Sequence, residues 1–201
     1  NRGHHSRLGT DADPASSRRG ESIYSFWFRS SVLGWVSAWK LEALRLSRRK
    51  HRIVSFQNEM LRLQLSQVLL VLGSSLLFGW FAAAVWVVAA LSGGLILETV
   101  NYIEHYGLRR GLNARGHLEP VRPVHSWNSN HPLGRLLLFD LSRHSDHHAN
   151  PKRPYQVLRH FEEAPSLPTG YPGMMVLASV PPLFKSVMDR QLEQWQVRQA
   201  A

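Results

Sequence analysis

An all-α membrane protein, a transmembrane helical hairpin bearing a histidine-rich cap on its cytoplasmic side, is the architecture that this 201-residue sequence predicts. Three observations carry the prediction. From Leu63 to Leu97 run 35 residues without a formal charge. Both flanks of that run are basic. Eleven histidines are spread unevenly, and three of them crowd into "RHSDHHANP".

Taken in order, residues 6–20, "SRLGTDADPASSRRG", combine Gly, Pro and Ser with polar groups and read as a loop. Between Glu21 and Arg62, aromatics and leucines alternate with bases. Trp35, Trp39, Leu41 or Glu42, and Leu46 recur at helical spacing, which predicts one or two amphipathic helices with a basic face at a membrane surface. The uncharged run then spans about 52 Å at ~1.5 Å per residue. That exceeds the ~30 Å of one bilayer crossing and falls slightly short of two. Gly73, Ser74, Ser75 and Gly79 are the candidates for a turn within it. Arg45, Arg48, Arg49, Lys50, Arg52 and Arg62 precede the run, and Arg109, Arg110 and Arg115 follow it. Basic flanks remain in the cytoplasm, so both ends belong on one side and each arm of the hairpin borrows residues from its flank. Beyond Gly107 the chain is polar and rich in proline. "PYQVLRHFEEAPSLPTGYPGMM" predicts irregular structure, and "MMVLASVPPLF", 174–184, is too short to span and is broken by Pro181 and Pro182. Three segments result: an N-terminal loop with interfacial helices (1–62), the hairpin (63–106) and the cytoplasmic cap (107–201).

Formal charge is +10 and the pI is near 10.8. Such a balance suits nucleic acid, an anionic membrane surface or an acidic protein partner. The apolar run and the clustered histidines argue for membrane lipid and against nucleic acid. There is no cysteine, which excludes disulfides, iron–sulfur ligation and cysteine-based zinc sites within the chain.

His144, His147 and His148 stand at i, i+3 and i+4, so a helix brings three imidazoles to one face. Imidazole is the commonest metal ligand, and it suits zinc, iron, copper and nickel. Asp146 points off that face and is a candidate to orient a ligand by hydrogen bonding. His4 and His5 are adjacent, about 100° apart if helical, a weak signal alone. In "NYIEHYGL", a helix continuing through His105 puts Glu98, Asn101 or Tyr102, and His105 on one stripe. Polar groups at the end of a membrane helix are functional candidates by default. Glu98, Asn101 and Glu104 are expected to orient the imidazoles.

Together "NRGHH", "NYIEHYGLRR", "EPVRPVHSWNSNH" and "LLLFDLSRHSDHHANPKRPYQVLRHFEEAPSLPTGYPGMM" strongly resemble the integral-membrane alkane 1-monooxygenases, from Asn1 to about Asp189. The resemblance implies that the hairpin is the last two of six transmembrane helices under a cytoplasmic catalytic cap. It implies an inner-membrane, multi-pass enzyme with a non-haem diiron centre and no haem, which hydroxylates the terminal methyl of n-alkanes with O2. Electrons would come from rubredoxin, reduced in turn by a flavin-dependent reductase. The metal ligands carried over are His4, His5, His105, His144, His147 and His148, and His125 falls near the site. An H-x-x-x-H box and the Glu-His that opens the second box are expected upstream of Asn1. The bases around the last box, Arg143, Lys152, Arg153 and Arg159, are candidates for docking the electron donor. Membrane fatty-acid desaturases share histidine boxes but not these flanking words.

Overall fold

The computed structural model describes residues 2–200; Asn1, which opens the "NRGHH" word, and Ala201 lie outside the described residues. Among the described residues the structure is helical, with only isolated bridges, Leu112 with Leu118 and Asn128 with Ser166, in place of strands. The helices are α1 (Arg2–Arg7), α2 (Ile23–Arg48), α3 (Glu59–Phe78), α4 (Trp80–His105), α5 (Pro132–Leu137), α6 (His144–Ala149), α7 (Tyr171–Ala178) and α8 (Pro181–Ala200). Short 3-10 turns lie at Pro123–His125 and Tyr155–Val157. The chain divides into two units, 1–30 with 98–201 and 31–97.

The 31–97 unit holds the apolar run. Asn58 caps α3 by accepting the Leu61 amide at 3.1 Å. The buried Glu42 carboxylate accepts the Glu59 amide at 2.7 Å and pairs with Arg45, which donates to the Gln57 carbonyl. The start of α3 is thereby fixed by side chains from α2. Gly73, Ser74 and Ser75 remain helical, with the Ser74 hydroxyl bonded back to the Val71 carbonyl. Gly79 alone makes the break, at φ 82° and ψ 171°, a conformation essentially reserved for glycine. The two helices flanking it have 20 and 26 residues, about 30 and 39 Å, and both are long and apolar enough to cross a membrane. Leu69, Leu72, Leu76, Trp80 and Leu91 lie uncovered along them.

The other unit has a true core. Ile23 and Phe26 of α2, Tyr102, Ile103 and Tyr106 around the end of α4, Trp127, Tyr171 and Met174 of α7, and Phe184, Met188 and Leu192 of α8 form one buried cluster. The C-terminal α8 was not expected from the sequence, which read as polar there. Phe184, Met188 and Leu192, at i, i+4 and i+8, are buried and Trp195 packs partly against the same core, too narrow a stripe to stand out among charges. Pro181 and Pro182 occupy its first turn, where a missing N–H costs nothing.

The last carbonyls of a helix lack intrahelical donors. In α4 they are met by tertiary partners. Ser17 Oγ donates to the Tyr102 carbonyl at 2.6 Å, the Trp127 amide to that of Glu104 at 2.8 Å, and the Trp127 indole to that of Tyr106 at 2.9 Å. Tyr102 in turn donates its hydroxyl to the Glu21 carbonyl. These bonds tie the chain on both sides of His105 to the loops at 17 and 127.

Candidate metal centre

Three helices bring six imidazoles together: His4 and His5 from α1, His105 from the last turn of α4, and His144, His147 and His148 from α6. The ring centroids of His4 lie 4.9 Å from both His105 and His148, and those of His105 and His148 lie 5.0 Å apart. His5 sits 4.7 Å from His148 and 5.0 Å from His147. Within α6, His144 and His148 approach to 4.3 Å, as i and i+4 on one face must. Two sets of donor atoms lie within 4.8 Å of one another, His4 with His105 and His148, and Glu104 with His105 and His144. They overlap at His105.

Carboxylates orient this cluster from behind. Buried Asp13 meets His4 Nδ1 at 2.8 Å and also accepts the Ser16 hydroxyl and the Ala15 amide. The opposite nitrogen of His4 is then the one left for the cluster, the carboxylate–histidine arrangement that fixes tautomer and ring orientation at metal sites. Glu104 Oε2 stands 2.9 Å from His144 Nε2, yet neither atom has a hydrogen-bond partner. Its Oε1 accepts the hydroxyl of Tyr171 at 2.8 Å.

The donors fit a metal. Both nitrogens of His105 and of His148, and Nδ1 of His5, are buried without hydrogen-bond partners. Buried polar atoms are almost always bonded, so a set of orphans aimed at one another calls for a cation. Burial, followed by the neighbouring imidazoles of His144, His105, His4 and His5, holds His148 well below the ordinary imidazole range. Burial and His147 lower His5 to about 4. Burial also lowers His147. Neutral imidazole is the ligating form, so these rings are prepared to bind without first losing a proton. Imidazole with a carboxylate at hand suits iron among other metals.

The remaining sequence candidates fall into distinct places. Glu98 and Asn101 are partly buried on α4, two turns and one turn before His105, and of the three expected orienting residues on α4 it is Glu104 whose carboxylate lies among the imidazoles. His125 is buried, but its ring nitrogens face the Arg122 amide at 3.1 Å and Glu119 at 4.0 Å. Asp146 is fully buried and bonds to Arg153, to the Arg159 amide at 2.7 Å and to Asn150, not to an imidazole. Burial alone would raise its carboxyl; the hydrogen bonds from Arg153, Arg159 and Asn150 outweigh that and lower it. Arg143 is likewise engaged, with the Leu158 carbonyl and Asn130. Lys152 and Arg159 are exposed. Asp13, Trp127 and Tyr171 escaped the sequence reading. Asp13 lies in a stretch whose Gly, Pro and Ser content signals only a loop, and the other two read as ordinary aromatics.

The family model described as fatty acid desaturase matches residues 2–177. Alkane 1-monooxygenase 2 of Pseudomonas aeruginosa is 47% identical over 188 residues, 94% of this chain and 50% of the relative. Alkane 1-monooxygenase of Ectopseudomonas oleovorans is 47% identical over 195 residues, 97% of this chain and 49% of the relative. The xylene/toluene monooxygenase hydroxylase component XylM of Pseudomonas putida is 30% identical over 200 residues, 98% of this chain and 52% of that protein. The chain thus spans about half the length of the curated relatives it matches. With the family model reaching from α1 through α7, across every histidine of the cluster, the chain belongs to the fatty acid desaturase family, and among its homologues are alkane 1-monooxygenases.

Proposed function

We propose that the full-length protein is a membrane non-haem diiron monooxygenase that converts n-alkanes to 1-alkanols at the terminal methyl. The observation that carries this reading is the convergence of six imidazoles at the end of an apolar helix in a chain similar to alkane 1-monooxygenases. His4, His5, His105, His144, His147 and His148 would hold the irons. When bound, a diiron pair supplies two-electron activation of O2, with one oxygen atom going to the C–H bond and the other leaving as water.

The chain's own residues do the rest. Asp13 holds His4 with one nitrogen turned inward. Burial of His105 and His148 keeps water from the donor atoms. A hydrocarbon offers no acid or base handle, so the protein must supply orientation and dryness. The uncovered leucines of α3 and α4 belong in the lipid, where an alkane also dissolves. Basic residues on both flanks of the spans favour the bacterial inner membrane with the site on the cytoplasmic side. Rubredoxin, with its flavin-dependent reductase, would deliver electrons, and exposed Lys152 and Arg159 beside the last histidine box would meet its acidic surface.

The family description favours one second reading, desaturation or hydroxylation of acyl chains. Full-length protein in a host without its own hydroxylase, supplied with rubredoxin, reductase, octane and 18O2, decides between them. Labelled 1-octanol from an iron-containing protein is the expected result. Protein without iron, or modified acyl chains and no alkanol, would overturn the proposal.

A further inference from the structure

We infer that Tyr171 is a positioning residue of the metal centre: its hydroxyl holds Glu104 so that the second carboxylate oxygen is turned toward the metal edge of His144. The inference rests on the metal-centre reading above. Tyr171 opens α7 in the word "GYPGMM" and is fully buried in the core. Its ring would pack equally well as phenylalanine. Its hydroxyl is the atom that needs explaining, because a buried O–H without an acceptor is costly. That acceptor is Glu104 Oε1, 2.8 Å away and 67 residues distant in the chain.

Glu104 is itself 2% exposed, and among the described residues no lysine or arginine pairs with it. A lone buried carboxylate is expensive unless paired or bound to metal. The Trp127 amide fixes its backbone carbonyl, and Tyr171 takes one of its two side-chain oxygens. Only Oε2 is left, 2.9 Å from His144 Nε2 in a geometry that makes no hydrogen bond. A carboxylate oxygen and an imidazole nitrogen facing each other, each without a hydrogen-bond partner, are arranged for a cation between or beside them.

The test uses the full-length, membrane-embedded, iron-loaded enzyme. In Tyr171→Phe, iron should pass to a chelator roughly 10- to 100-fold faster, the range for partners that orient metal ligands. The Mössbauer doublet of one of the two irons should shift. Glu104→Gln should do the same, and the double variant should be no worse than Glu104→Gln alone, because the tyrosine acts through that carboxylate. Wild-type iron release and an unchanged spectrum in Tyr171→Phe would overturn the inference, as would additive losses in the double variant, which would mean packing only. If Tyr171→Phe does not accumulate, 3-fluorotyrosine at position 171 changes the donor strength but not the packing, and an unchanged doublet there would overturn it equally. A wild-type protein without iron would instead bring down the metal reading itself, and this inference with it.

Discussion

At the scale of single residues, one imidazole nitrogen differs from another by what stands behind it. His4 has Asp13, whose carboxylate is anchored by Ser16 and the Ala15 amide. Asp13→Asn should therefore lower iron affinity about 10- to 100-fold while leaving the helices intact, measured by iron content after dialysis against a chelator and by circular dichroism. His147→Ala should lose iron and alkane hydroxylation together. His51→Ala and His117→Ala, at exposed positions, should keep both; loss in either would mean the ligand set is misassigned. His125 makes a different point. Burial, then Arg122 and Arg110, lowers it to about 4. An unfolded histidine titrates near 6.5, so between pH 6.5 and 4 the unfolded chain binds the extra proton and the native state does not. Stability tied to this group is thus full above pH 6.5 and falls as pH drops toward 4. In His125→Gln that loss disappears, and the Tm of wild type relative to the variant should decline across this window. A constant difference would show that His125 titrates alike in both states.

At the scale of elements, the informative positions are breaks and clamps. Gly79 is the whole connection between α3 and α4. A Cβ there meets no atom within 4 Å, so Gly79→Ala tests backbone strain alone and should cost about 1–3 kcal/mol. Gly73, helical and equally open, should gain about 0.5–1 kcal/mol on replacement by Ala. Thermal melts of the two variants in the same detergent should move in opposite directions. The clamp is Asp146. It lies inside the "HSDHH" box but faces away from the metal side, drawing residues 150–159 back against α6. Asp146→Ala would strand Arg153 and the Arg159 amide, and breaking such a buried pair costs about 3–5 kcal/mol. Loss of stability should precede any loss of iron.

At the scale of the whole molecule, the excess of positive charge is the dominant property. Arg153 and Arg143 are already engaged in holding the cap together, so reversing them would confound docking with folding. Lys152→Glu with Arg159→Glu is the cleaner test, because both side chains are exposed. With rubredoxin limiting, the double reversal should lower the apparent second-order rate of electron delivery and flatten its salt dependence. Between about 0.05 and 0.5 M salt the screening length falls from roughly 14 to 4 Å, enough to expose steering between opposite charges. A rate indifferent to salt in both proteins would place docking elsewhere.

The sequence by itself determined what period, charge and spacing encode. An uncharged run of 35 residues is too long for one crossing and calls for a turn within it, and i, i+3, i+4 spacing alone puts three imidazoles on one face. It also named His105, as a polar group at the end of an apolar helix, and His4 and His5, chiefly through a word matched to a family. Tertiary structure decided the rest, because it joins residues that no local pattern relates. Asp13 reaches His4 across a loop, Tyr171 finds Glu104 across 67 residues, and Trp127 caps α4 with both its amide and its indole. The sequence offered Glu98, Asn101 and Glu104 alike; packing of Tyr102 and Ile103 into the core sets the rotation of α4 that brings the Glu104 carboxylate beside His105 and His144. Hydrophobic burial sets which face of a helix turns inward, and buried polar groups then take whatever partners that rotation leaves within reach.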